Sequence, residues 1–122
     1  MLAKKIMVVD DEPDILLTVG QMLELSGYEV IRAKDGDECL EKLKTITPDL
    51  VLLDLMMPGL SGWDVAAKIK ENDHWNDIPI VFLTIKGDTM SVGMGKLSAE
   101  DYIVKPFDNE ALLKRVEEIL NK

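Results

Sequence analysis

The stretch Val51-Leu52-Leu53-Asp54-Leu55-Met56-Met57-Pro58-Gly59 decides the fold. An unbroken apolar run ending in one acidic residue reads as a strand buried on both faces, as in parallel sheets covered by helices. Asp54 then stands at the carboxyl end of that strand, and Pro58-Gly59 marks the turn beyond it. Open α/β sheets place their chemistry at this edge. Taken alone, Asp54 could simply begin a loop, so the other strand ends have to decide.

Four more apolar runs flank this one. Lys5 to Val9 ends at Asp10-Asp11, and Tyr28 to Ala33 carries Val30 and Ile31. Ile80 to Thr84 is entered through Pro79, and Asp101 to Val104 ends at Lys105-Pro106-Phe107. Between the runs, apolar residues recur at helical spacing: Ile15, Leu16, Val19, Met22 and Leu23, then Cys39, Leu40, Leu43 and Ile46, then Val65, Ala66 and Ile69. Leu112, Leu113, Val116 and Leu120 mark the last helix, for which Asn109 is the expected cap. Pro13 suits the first turn of the first helix, and Asp11, Glu12 and Asp14 suit its positive end. Ser26-Gly27 and Thr47-Pro48 stop the first two helices, and Ser61-Gly62 opens the third. A weak helix is expected over 88–97, where Gly93 and Gly95 each cost about 1 kcal/mol relative to alanine.

Strand and helix thus alternate five times without a linker or an internal repeat. The expected fold is a single α/β domain over residues 1–122, with a five-stranded parallel sheet in the flavodoxin-like order 2-1-3-4-5 and five helices on its two faces. A chain of 122 residues is long enough to bury a sizeable core. The 14 basic and 23 acidic residues give a net charge of −9, which argues against direct nucleic-acid binding. No apolar run approaches the roughly 18 residues of a membrane span. Met1-Leu2-Ala3-Lys4-Lys5 has no signal-peptide layout, so a cytoplasmic location is expected. Cys39, the only cysteine, reads as a small buried thiol, and His74 as a surface histidine. Met56 and Met57 have no His or Cys beside them and read as loop packing rather than a soft-metal site.

In strand order 2-1-3-4-5, strands one and three are neighbours about 4.8 Å apart. Asp10 and Asp11 then sit close to Asp54, where three ionised carboxylates persist only with a cation or a raised pKa. An oxygen-only set at few positions suits Mg²⁺. Thr84 brings a hydroxyl and Lys105 an ammonium from strands four and five. This set suits phosphoryl transfer to a carboxylate, with Asp54 as nucleophile, Asp10 and Asp11 as metal ligands, and Thr84 and Lys105 holding phosphoryl oxygens.

On four stretches the chain resembles the receiver domains of two-component response regulators, the CheY-like family. They are Val8-Val9-Asp10-Asp11-Glu12, Leu53 to Gly59, Phe82-Leu83-Thr84, and Asp101 to Phe107. The resemblance implies that a sensor histidine kinase or phosphotransfer protein phosphorylates Asp54. It implies Mg²⁺ held by Asp10, Asp54 and the backbone carbonyl of Met56, with Asp11 in the inner or outer shell. It further implies a switch pair, Thr84 and Tyr102, a cis Lys105-Pro106 bond, a downstream protein target, and possible pairing of copies through the fourth and fifth helices and strand five. Ile85 departs from the family, which carries a small residue there, and is expected to narrow access to the phosphoryl pocket. Ser98 stands where a glycine commonly precedes the last strand.

Three other classes compete. A Mg²⁺-dependent aspartyl-phosphate phosphohydrolase needs a second acid two residues after its nucleophile, and that position is Met56. A flavin carrier needs a phosphate-receiving first loop, and Asp10-Asp11-Glu12 would repel one. A receiver that docks without phosphorylation is disfavoured by the intact acid set. The expectation is therefore a signalling module and not an enzyme, either a stand-alone receiver or a piece of a longer regulator.

Overall fold

Strands apolar on both faces require helices on both sides. The computed structural model describes residues 3–85 and 101–121, with backbone alone at Ile85 and Asp101. It contains β1 (Lys5–Val9), α1 (Pro13–Leu25), β2 (Glu29–Ala33), α2 (Gly36–Leu43), β3 (Leu50–Asp54), α3 (Gly62–Glu71), β4 (Ile80–Ile85), β5 (Asp101–Lys105) and a final helix, here α4 (Asn109–Leu120). The strands form one parallel sheet in the order β2-β1-β3-β4-β5. The helix expected over 88–97 lies outside the described residues, as do Ser98 and the side chain of Ile85.

Alternate strand residues feed two separate cores. Ile6, Val8, Leu50, Leu52, Val81 and Leu83 pack against Val19 and Leu23 of α1 and Leu112 and Val116 of α4. Met7, Val9, Val51, Leu53, Ile80 and Phe82 pack against Cys39 and Leu43 of α2 and Val65, Ala66 and Ile69 of α3. Each large side chain withdrawn from water in these layers contributes about 1.5–3 kcal/mol. Cys39 is wholly buried, and burial pushes its thiol pKa up to about 12, as befits a packing residue.

Local chemistry sets the helix ends. The Asp35 carboxylate accepts from Glu38 N–H at the start of α2, and Ser61 and Asp64 form a reciprocal capping box on α3. Asp108, not Asn109, caps α4: its carboxylate accepts from Glu110 N–H at 3.2 Å, and Asn109 is already helical. The helix α2 ends at Leu43, short of Ile46, although Ile46 N–H still reaches the Lys42 carbonyl. Gly27, with φ 97°, takes the left-handed turn after α1. On the outer edge, Lys42 donates to the Arg32 carbonyl, and Lys34 N–H donates to Glu38 at 2.7 Å. Two α2 side chains thereby satisfy outward peptide groups at and just after the end of β2, which no described strand pairs.

Candidate functional site

Sheet register and side-chain alternation assemble the site. Val9 pairs with Leu53, and Asp54 pairs with Leu83. Asp10, Asp54 and Lys105 continue the side-chain alternation that faces α1 and α4. Thr84 falls on the opposite parity, with Phe82 and Tyr102.

Asp10, Asp11 and Asp54 each offer a carboxylate oxygen, and these oxygens lie within 4.8 Å of one another. Asp10 is wholly buried and Asp54 is 3% exposed, whereas Asp11 is exposed at the mouth. Asp10 Oδ1 accepts from Glu12 N–H at 2.9 Å, and its Oδ2 accepts from Lys105 Nζ at 2.7 Å. Lys105 Nζ also contacts Glu12 Oε1 at 3.2 Å and lies 3.6 Å from Asp54 Oδ1. Asp54 Oδ1 in addition accepts from Met56 N–H at 3.2 Å. The Lys105-Pro106 bond is cis, as expected.

Burial, then the neighbouring Asp10 charge, pushes the Asp54 pKa up to about 7, against the pull of Lys105 and Met56 N–H; a hydrogen bond with Asp11 adds to the rise. Burial works against the Lys105 ammonium, but the hydrogen bond and charge of Asp10, together with Asp54 and Glu12, outweigh it and raise its pKa. Three carboxyl groups, of Asp10, Glu12 and Asp54, thus surround one ammonium, and Asp11 adds a fourth acid beside Asp10 and Asp54. That excess of negative charge, the all-oxygen donor set and its open side at Asp11 fit a hard cation.

Thr84 is buried at the end of β4, opposite Val104. Tyr102 is half-buried, opposite Phe82, and its ring stacks on Phe82 at 5.6 Å. Phe82 in turn meets Trp63 edge-on at 4.9 Å. The structure therefore places Thr84 and Tyr102 on one face of adjacent strands, at the end and middle of the sheet. Met57 packs in the α2–α3 core, as expected, but Met56 is 59% exposed, against the expectation that it too is loop packing. His74 is exposed, as expected.

Two residues at this site escape a reading of the sequence. Glu12 reaches Lys105, which stands 93 residues away in the chain. Gly62, the first residue of α3, lies so close to β3 that a Cβ there would come within 2.4 Å of the Asp54 carbonyl oxygen. Its N–H donates to the Leu55 carbonyl at 2.9 Å. A glycine at the first position of an otherwise well-capped helix was the available signal.

A doubly wound sheet in this order, with an acid cluster on its carboxyl edge, defines the flavodoxin-like class of α/β domains with a cation-accepting pocket. The comparisons make the class specific. The response regulator receiver domain family matches residues 6–117. The alkaline phosphatase synthesis transcriptional regulatory protein PhoP of Bacillus subtilis is 42% identical over 120 residues, 98% of this chain and 49% of that protein. The phosphate regulon transcriptional regulatory protein PhoB of Pseudomonas aeruginosa is 37% identical, covering 100% of this chain and 54% of its own length. The structure of Vibrio cholerae chemotaxis protein CheY4 superposes with a TM-score of 0.90 at 31% identity, over 97% of this chain and 99% of that one.

The chain belongs to the response regulator receiver domain family. It is a signalling module of two-component systems, in which phosphorylation-dependent switching is typical. It spans about half the length of the curated relatives it matches.

Proposed function

We propose that Asp54 is the phosphoryl acceptor of this domain, taking the group from a phosphohistidine on a sensor kinase or phosphotransfer protein. One observation carries the reading: Asp54 is a buried strand-end carboxylate within 4.8 Å of two other acids and 3.6 Å from an ammonium. An ionised Asp54 attacks phosphorus through Oδ2, since Oδ1 carries the Met56 N–H and faces Lys105. The P–O bond forms as the P–N bond to histidine breaks, and the imidazole leaves with the bonding pair. Lys105 offsets charge gathering on the phosphoryl oxygens, and the Thr84 hydroxyl receives one of them from the end of β4. Asp10, Asp11, Asp54 and the Met56 carbonyl would hold Mg²⁺, which when bound neutralises charge on acceptor and donor.

Thr84 and Tyr102 are assigned as the switch pair, supported by their common face and the stacking of Tyr102 on Phe82. The output face is assigned to β5, α4 and the segment before β5; exposed Val104 lies on it, and copies could pair there. Residues 1–122 are read as one receiver domain that promotes only its own phosphorylation and dephosphorylation. Its charge of −9 supports protein rather than nucleic-acid partners for the domain itself. The relatives PhoP and PhoB, about twice as long, are by name transcriptional regulators. A cytoplasmic location is assigned as part of this reading; among the described residues no helix is long and apolar enough to cross a membrane.

Acetyl phosphate tests the acceptor assignment. Mass spectrometry should find one added phosphoryl group on Asp54 and none after Asp54→Ala. Undiminished labelling of that variant would mean that another residue is the acceptor.

A further inference from the structure

We propose that Glu12 is a positioning residue: its carboxylate holds the Lys105 ammonium back from Asp54 in the unphosphorylated domain, and so sets how readily the site takes a phosphoryl group. The inference rests on the assignment of Asp54 as acceptor. An ammonium has three N–H donors. Lys105 directs two of them to Asp10 Oδ2 at 2.7 Å and Glu12 Oε1 at 3.2 Å. Asp54 Oδ1, at 3.6 Å, is beyond hydrogen-bond reach. A phosphoryl group on Asp54 competes for the same ammonium. A cation at the acid cluster would engage Asp10, but Glu12 is not one of the three clustered carboxylates, so its hold on Lys105 persists.

The geometry also lets Glu12 let go. Its backbone is pinned by the N–H bond to Asp10 Oδ1 at 2.9 Å. Its side chain is 56% exposed, at the rim of a cavity of about 360 Å³ lined also by Ile15, Lys105, Pro106 and Phe107. The carboxylate can swing into water while the loop that carries Asp10 stays in place. Asp10 itself, wholly buried, has no such freedom.

Beryllofluoride, a tetrahedral mimic of the phosphoryl group on a carboxylate, reads the competition at equilibrium. Its binding in the presence of Mg²⁺ is followed by Trp63 fluorescence and, independently, by ¹⁹F NMR. Glu12→Gln should bind it about 1.5- to 5-fold more tightly than wild type, the range of a partly exposed ion pair. Asp14→Asn makes the same charge change on an exposed residue of the first turn of α1 and should leave the affinity unaltered. Wild-type affinity in Glu12→Gln, or equal tightening in Asp14→Asn, overturns the positioning role while leaving Asp54 as acceptor. Binding that survives Asp54→Ala, or no binding to wild type, removes the acceptor assignment and this inference with it. Melting curves of the same variants separate a fold defect, which would lower the transition and weaken binding, from the predicted tightening.

Discussion

Asp54 stores a pH dependence that can be measured without any phosphoryl donor. Its folded pKa of about 7 stands above the usual value near 3.9 in an unfolded chain. The folded state therefore binds more protons between about pH 4 and 7, and stability falls as pH rises through that window. Above pH 7 the full cost of the buried carboxylate is present. Asp54→Asn removes the charge at nearly constant shape. It should be more stable than wild type at pH 8 by on the order of 2–4 kcal/mol, with no gain at pH 4. Urea unfolding in chelator at both pH values checks this. A gain that is the same at pH 4 and pH 8 would rule out ionisation of Asp54 as its source.

At the scale of elements, two buried glycines make different predictions from similar crowding. A Cβ on Gly62 would meet backbone, the Asp54 carbonyl oxygen at 2.4 Å and Leu55 Cα at 2.7 Å. Gly62→Ala must move α3 away from β3 and should cost about 1–3 kcal/mol. A Cβ on Gly20 would instead meet the Arg32 guanidinium, which lies across α1 and bonds the Leu16 carbonyl and Glu24. That group is the end of a flexible side chain. Gly20→Ala should gain about 1 kcal/mol of helix propensity and lose a similar amount of Arg32 bonding, for little net change. Denaturant midpoints of the two variants decide; a Gly62→Ala protein as stable as wild type would mean the helix start adjusts without strain.

These elements also show what a sequence can display. Strands β1, β3 and β4 were legible because both faces are apolar, and the acids and lysine were legible because each ends such a run. Helix starts were less so: Asp108 and Asn109 are both good caps, and only the backbone path chooses between them. The Glu12–Lys105 contact was invisible, since neither residue carries a pattern that names a partner across the sheet. Gly62 was seen as a helix opener, but its closeness to Asp54 is a tertiary fact.

For the whole molecule, the acid excess at one sheet edge makes stability respond to divalent cation. Magnesium at ten times its dissociation constant should add about 1.4 kcal/mol, a rise of a few degrees in Tm. Asp10→Ala should blunt that rise, and an equal rise in both proteins would remove Asp10 from the ligand set. The opposite side of the sheet has a different fate. Parallel sheets with bare edges can recruit further strands from neighbouring chains. Here Lys42 and Glu38 occupy the outward carbonyl of Arg32 and the N–H of Lys34. A strand approaching the carboxyl end of β2 would have to displace both, so templated growth meets an obstacle there, set by the helix that follows β2 in its own chain.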